Sequence, residues 1–140
     1  MTRSEAREQA FVLVFENIFN PEATVDEIVS AAVESDDVLH PDDFSKELAQ
    51  TVFAHKAEAD AQIEKFARGW KVTRLAKVTL AVLRLAICEI LFCESVPASV
   101  SVNEAVELAK KYATEKDASY INGILGSFTR SLADGNGEAE

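Results

Sequence analysis

Val78-Thr-Leu-Ala-Val-Leu-Arg-Leu-Ala-Ile-Cys-Glu-Ile-Leu-Phe-Cys93 is the stretch whose reading decides the fold. On a helical wheel Val82, Leu83, Leu85, Ile87, Ile90 and Leu91 cover every side, so no polar face is left for water. Such a helix belongs at the centre of a bundle. The segment is too short and too charged to span a bilayer without a partner, because Arg84 and Glu89 interrupt it. Both charges are expected to be paired or to reach the surface at a bundle edge. With Thr73 as its N-cap, this fifth and longest helix is predicted to run to about Glu94, and Pro97 ends the stretch.

Helical spacing continues on both sides. Upstream, Phe11, Val14, Phe15 and Ile18 fall at i, i+3, i+4 and i+7, which predicts a first helix from about Ser4 to Phe19, stopped by Asn20-Pro21. Thr24 and Glu27 have the spacing of a capping box before a short second helix. His40-Pro41-Asp42-Asp43 breaks the chain and offers acids to the first turn of a third, striped by Phe44, Leu48 and Val52. A fourth segment carries Ile63, Phe66 and Ala67 and is expected to end at Gly69. Downstream, Ser101 and Glu104 have capping-box spacing for a sixth helix, and Asp117 is the expected cap of a seventh, striped by Ile121, Ile124, Leu125, Phe128 and Leu132. Seven helices with short connections predict an all-α fold in one domain, residues 1–134, followed by an acidic, frayed tail over 135–140.

Composition agrees. The chain has 140 residues, 48% of them hydrophobic and 27% charged, with only 5 glycines, and this scarcity of glycine argues against an all-β fold. The net charge is −10, so nucleic-acid binding by bulk charge is not expected and must come from a local patch. The charge is uneven. Residues 20–47 hold nine acids and one base, a net of −8, whereas residues 65–84 hold six bases and no acid. Arg74, Lys77 and Arg84 would lie close to one helix face. Two cysteines make no disulfide framework and no signal peptide opens the chain, which predicts a reduced, cytoplasmic protein with no membrane segment.

Catalytic chemistry finds no support. His40 and His55 are the sole histidines, and Cys88 and Cys93 stand five apart on an apolar helix and so point in different directions. No zinc set, phosphate loop or nucleophile elbow occurs, so no metal, cofactor or enzymatic activity is expected. Gly123-x-x-Gly126 has no strand before it and suits helix–helix approach. Arg3 and Arg7, at i and i+4 on the first helix, are a usable RNA foothold, because guanidinium forks grip phosphates and stack on bases. Glu5 and Glu8 stand beside them as neutralising neighbours.

The segments Trp70-Lys71-Val72-Thr73-Arg74-Leu75, Ala81 to Leu91, Val96-Pro97, Val102-Asn103-Glu104-Ala105-Val106-Glu107-Leu108-Ala109-Lys110-Lys111-Tyr112 and Tyr120-Ile121-Asn122-Gly123-Ile124-Leu125 follow one another in an order that resembles the NusB family of bacterial transcription antitermination factors. The resemblance is strongest from Trp70 to Leu125 and extends to Arg3–Phe15. It implies two small helical bundles packed together and a non-enzymatic role. It also implies a pairing with NusE, a protein that also serves in the small ribosomal subunit. The pair binds boxA RNA of nascent ribosomal RNA leaders and accompanies RNA polymerase in an antitermination complex.

The family's arginine-rich opening corresponds to Arg3 and Arg7. A frequent Gln falls at Val12, a common Tyr at Phe15, and the Tyr usual before the Glu of the long helix is Cys88. The family's aromatic at the start of the last helix is kept as Tyr120, while Asn103, Glu104 and Asn122 match. The expected RNA site combines Arg3, Arg7, Lys116 and Tyr120. Arg74 and Lys77 are the expected NusE contact, with the acidic run Glu34 to Asp43 as a rival surface. The alternative is an RNA-independent module of the same fold, regulatory or self-associating, since some relatives form homodimers.

Overall fold

An apolar helix with no polar face has to be surrounded, and the computed structural model, which describes residues 1–34 and 39–139, surrounds it. The chain forms α1 (Arg3–Phe19), α2 (Val25–Glu34), α3 (Asp43–Ala54), α4 (Lys56–Phe66), a 3-10 turn (Val72–Arg74), α5 (Lys77–Phe92), α6 (Ala98–Tyr112) and α7 (Glu115–Ala139). No strand occurs among the described residues. α5 packs against α1, α3, α4, α6 and α7. Ten of its residues are buried, from Thr79 to Glu89. α1, α2 and α3 form one small bundle, α4 to α7 a second, and α1 and α3 lie on α5 to join the two.

Local signals explain most helix starts. Thr24 and Glu27 make the reciprocal capping box that their spacing predicted, at 3.0 and 3.1 Å. Asp42 caps α3 by accepting the Ser45 N–H at 2.8 Å, and the Ser45 hydroxyl donates to the Ala6 carbonyl at 2.8 Å, tying α3 to α1. Thr2 and Glu5 form a further capping box at the start of α1. Arg68 (φ +53°) and Gly69 (φ +92°) carry the chain out of α4 through the left-handed region.

Three predicted starts are displaced. Thr73 does not cap α5: it lies in the 3-10 turn, whose first N–H, that of Val72, donates to the Glu64 carboxylate of α4 at 2.9 Å. Leu75 and Ala76 are then extended, and α5 begins at Lys77. Arg74 is therefore off the helix and shares no face with Lys77 and Arg84. Ser101 does not cap α6, which starts at Ala98 after Pro97. Asp117 sits inside α7, where its N–H donates to the Thr114 hydroxyl at 3.1 Å. The backbone of α7 is helical to Ala139, through most of the acidic tail at 135–140. The side chains of that tail lie outside the described residues, as do residues 35–38 of the acidic run.

Both charges that interrupt the apolar run of α5 are paired. Arg84 donates two bonds of 2.8 Å to the Asp60 carboxylate of α4. Glu89 is buried, and Arg7 Nε on α1 donates to its two oxygens at 3.1 and 3.0 Å. The Ser101 hydroxyl of α6 adds a bond of 2.6 Å to Oε1. Three helices thus meet at one carboxylate. Cys88, also buried, has its thiol pushed up to about 12 by burial, so it stays protonated and acts as a small apolar residue.

Leu83 is fully buried in α5, so Leu83→Ala should cost about 2–5 kcal/mol. Phe92, at the exposed end of the same helix, stacks on His55 with ring centroids 4.1 Å apart, and Phe92→Ala should cost no more than about 1 kcal/mol. Urea unfolding midpoints check the pair. Equal losses would contradict the central placement of α5.

Candidate nucleic-acid interface

The residues singled out in the sequence do not converge. Arg3 is exposed and its guanidinium carbon lies 4.0 Å over the Phe44 ring of α3. Arg7, expected as a phosphate contact, is 5% exposed and consumed by Glu89. A guanidinium in that position is a structural cation, because pulling it out to a phosphate would leave Glu89 buried and uncompensated. Its Nη1 also lies 3.8 Å from Glu104, which accepts the Ser4 hydroxyl at 2.7 Å. Arg74 and Lys77 are both exposed but line different grooves. Lys77 faces Asn17, Lys56 and Thr73; Arg74 faces Arg68, Trp70 and Lys71.

The acids expected to neutralise Arg3 and Arg7 are committed elsewhere. Glu5 accepts the Thr2 N–H at 2.9 Å. Glu8 pairs with Lys111 at the end of α6 and accepts the Tyr112 hydroxyl at 2.6 Å. These bonds, with the Lys111 ammonium first, hold the Glu8 carboxyl below its ordinary range. The Tyr112 ring lies 4.9 Å from Phe11, and the row continues along α1 through Phe15 and Phe19 at 6.0 and 5.2 Å between centroids. The contacts advance in the same direction along α1 and α6: Ser4 with Glu104, then Glu8 with Lys111.

Lys116 and Tyr120, i and i+4 on the first turns of α7, are both exposed. Around the α6–α7 joint Tyr112 and Tyr120 are each partly exposed; Lys110 pairs with Glu107 at 3.7 Å and Lys111 with Glu8, whereas Lys116 has no ion pair among the described residues. A ring accepts a stacked base and a lysine a phosphate, which together suit an unpaired strand. Asn103 and Asn122 are exposed rather than packed between helices.

Sequence reasoning missed one element here. Trp70 is 55% exposed and shares a groove with Arg68, Tyr120, Gly123 and Arg130. The available signal was its place after Gly69 in a turn, between Arg68 and Lys71. Among the described residues no group of acids, histidines and cysteines is arranged to hold a metal ion. No described helix is long and apolar enough to cross a membrane.

The Glu8 contact has a pH signature. A carboxyl whose folded value is depressed contributes stability above its unfolded value, near 4.5, and loses it as pH falls through the folded value. The stability difference between the parent and Glu8→Gln should therefore be constant from neutral pH to about 5 and shrink below that. Urea unfolding from pH 7 to pH 3 measures it; a difference independent of pH would contradict the pairing.

Residues 4–130 match the model of the NusB family. A transcription antitermination protein NusB from Agathobacter rectalis is 39% identical over 132 residues, covering 91% of this chain and 99% of that protein. One from Natranaerobius thermophilus is 41% identical over 136 residues, covering 94% and 97%. Among solved structures, antitermination factors NusB and NusE in complex with dsRNA align at 30% identity and a TM-score of 0.77, covering 94% of this chain and 99% of the matched one. The solution structure of NusB from Aquifex aeolicus aligns at 30% identity and a TM-score of 0.79, covering 95% and 90%. The helices gathered around α5 are those of a common architecture, and the chain belongs to the NusB family.

Proposed function

We propose that this chain is a transcription antitermination factor that binds boxA-type single-stranded RNA of ribosomal RNA leaders together with NusE. The observation that carries the reading is the α6–α7 joint, where Tyr112 and Tyr120 are partly exposed on either side of the unpaired Lys116 in sequence, in a chain whose net charge is −10. Exposed rings and a free cation on adjoining turns suit a bound strand better than bulk attraction does. The solved relative that holds NusB, NusE and dsRNA together supports NusE and RNA as partners, and the exposed rings support an unpaired strand. The role is that of an adaptor: the chain offers surfaces and performs no chemistry. By the same reading it works in the cytoplasm, within an RNA polymerase complex.

In this proposal Arg3, Lys116 and Tyr120 touch RNA, and Arg7 acts by holding α1 in place. Arg74 and Lys77 are kept as proposed NusE contacts, to be tested one at a time because they face separate grooves.

The test is retention of boxA-type RNA by the chain with and without NusE. Binding should be weak alone and stronger with NusE. Lys116→Ala should weaken it and reduce the slope of log affinity against log salt by roughly 0.7, one single-strand phosphate contact. Tyr120→Ala should weaken it with the slope unchanged, because a stacked ring releases no counterion. No retention under either condition, together with a dimeric solution mass, would favour the RNA-independent, self-associating reading.

A further inference from the structure

The groove between the Arg68–Trp70 turn and the outer face of α7 has features that the function above does not use. The left-handed pair Arg68 and Gly69 turns Trp70 outward. Across from it, Tyr120, Gly123, Ser127 and Arg130 fall at i, i+3, i+7 and i+10 and all line the groove. They extend over about 15 Å of helix. Gly123 leaves the floor bare: a Cβ added there meets nothing within 4 Å. Ser127 accepts Arg130 Nη2 at 3.2 Å. No acid lines this groove, nor the shallower one beside it that Arg68 and Trp70 share with Lys71 and Arg74. Neither Arg68 nor Arg130 has a carboxylate partner among the described residues.

A groove lined by two guanidiniums and no carboxylate, in a chain with a net charge of −10, marks a polyanion surface. Two rings facing into it distinguish between polyanions. An acidic peptide would satisfy the guanidiniums and leave Trp70 and Tyr120 without a flat partner, whereas an unpaired nucleic acid supplies phosphates and bases together. We propose that this groove is a second single-stranded RNA subsite, in which a base stacks on Trp70 and phosphates meet Arg68 and Arg130, continuing the strand past Tyr120. The inference rests on the reading that Tyr120 touches RNA.

Trp70 is the sole tryptophan of the chain, so its emission reports the subsite directly. The full chain is titrated with a boxA-type RNA and with the same RNA lengthened at either end by unstructured uridines, while anisotropy of a labelled RNA records binding independently. Lengthened RNA should quench Trp70 saturably, and less so as salt rises. Trp70→Ala should lower affinity for it on the order of 10-fold. A Cβ at Gly123 meets nothing within 4 Å and glutamine is a better helix former than glycine, so Gly123→Gln should keep the parent's unfolding midpoint and abolish the length-dependent gain.

RNA binding by anisotropy with Trp70 emission unchanged, and with Trp70→Ala and Gly123→Gln binding as tightly as the parent, overturns this subsite alone and leaves the proposed function standing. Quenching by NusE without RNA, in place of quenching by RNA, makes the groove a protein contact and overturns the inference. Absence of any RNA binding overturns both.

Discussion

Everything else in the molecule is arranged around one buried carboxylate. Glu89 lies in the most apolar helix of the chain, and Arg7 and Ser101 reach it from two different helices. A lone carboxylate there would be intolerable, and a lone guanidinium equally so; together, and bonded to a hydroxyl, they are satisfied. Such a pair adds little net stability over apolar residues of the same size. Its effect is on placement: α1 and α6 must present Arg7 and Ser101 to one point on α5, and this fixes how the two bundles meet. The single cation also stands between two acids, since Glu104 flanks it at 3.8 Å. Loss of Arg7 would leave carboxylates facing one another.

That constraint shapes the surface. With Arg7 withdrawn, the exposed arginine of α1 is Arg3, resting on Phe44. Cations without a carboxylate partner among the described residues sit elsewhere, including Lys116 on α7 and Arg68 and Arg74 in the turn after α4. Glu8, which in sequence stands as a neutralising neighbour of the arginines, instead holds Lys111 and Tyr112 in position at the joint. Local pairing, more than the net charge of −10, therefore decides which cations a ligand can reach.

Much of the fold was legible because it follows from local pattern. The all-round apolarity of α5 required a bundle, the Thr24–Glu27 spacing marked a helix start, and the two charges inside α5 announced that partners must exist. The identity of a partner was not legible. Arg7 and Glu89 are 82 residues apart, and an i, i+4 arginine pair at a helix start looks the same whether it faces RNA or a core. Ser101 and Glu104 misled for a related reason: capping-box spacing also arises one turn inside a helix, where the serine can turn to Glu89 and the glutamate to α1. Thr73 failed as a cap because Glu64, nine residues earlier, took the Val72 N–H and wound the chain into a 3-10 turn. The site was less legible than the fold, since burial decides which cations are free and burial is set by these distant contacts.

The central claim is that Arg7 belongs to the fold and not to the ligand. A double-mutant cycle on Arg7→Leu and Glu89→Leu, read by urea unfolding of both single variants and the double variant, tests it most directly. The account predicts strong coupling, roughly 1.5–3 kcal/mol or more, with the double variant more stable than the sum of the single losses implies. Losses that add to within about 0.5 kcal/mol would contradict it, because two residues that do not sense each other cannot be holding the helices in place.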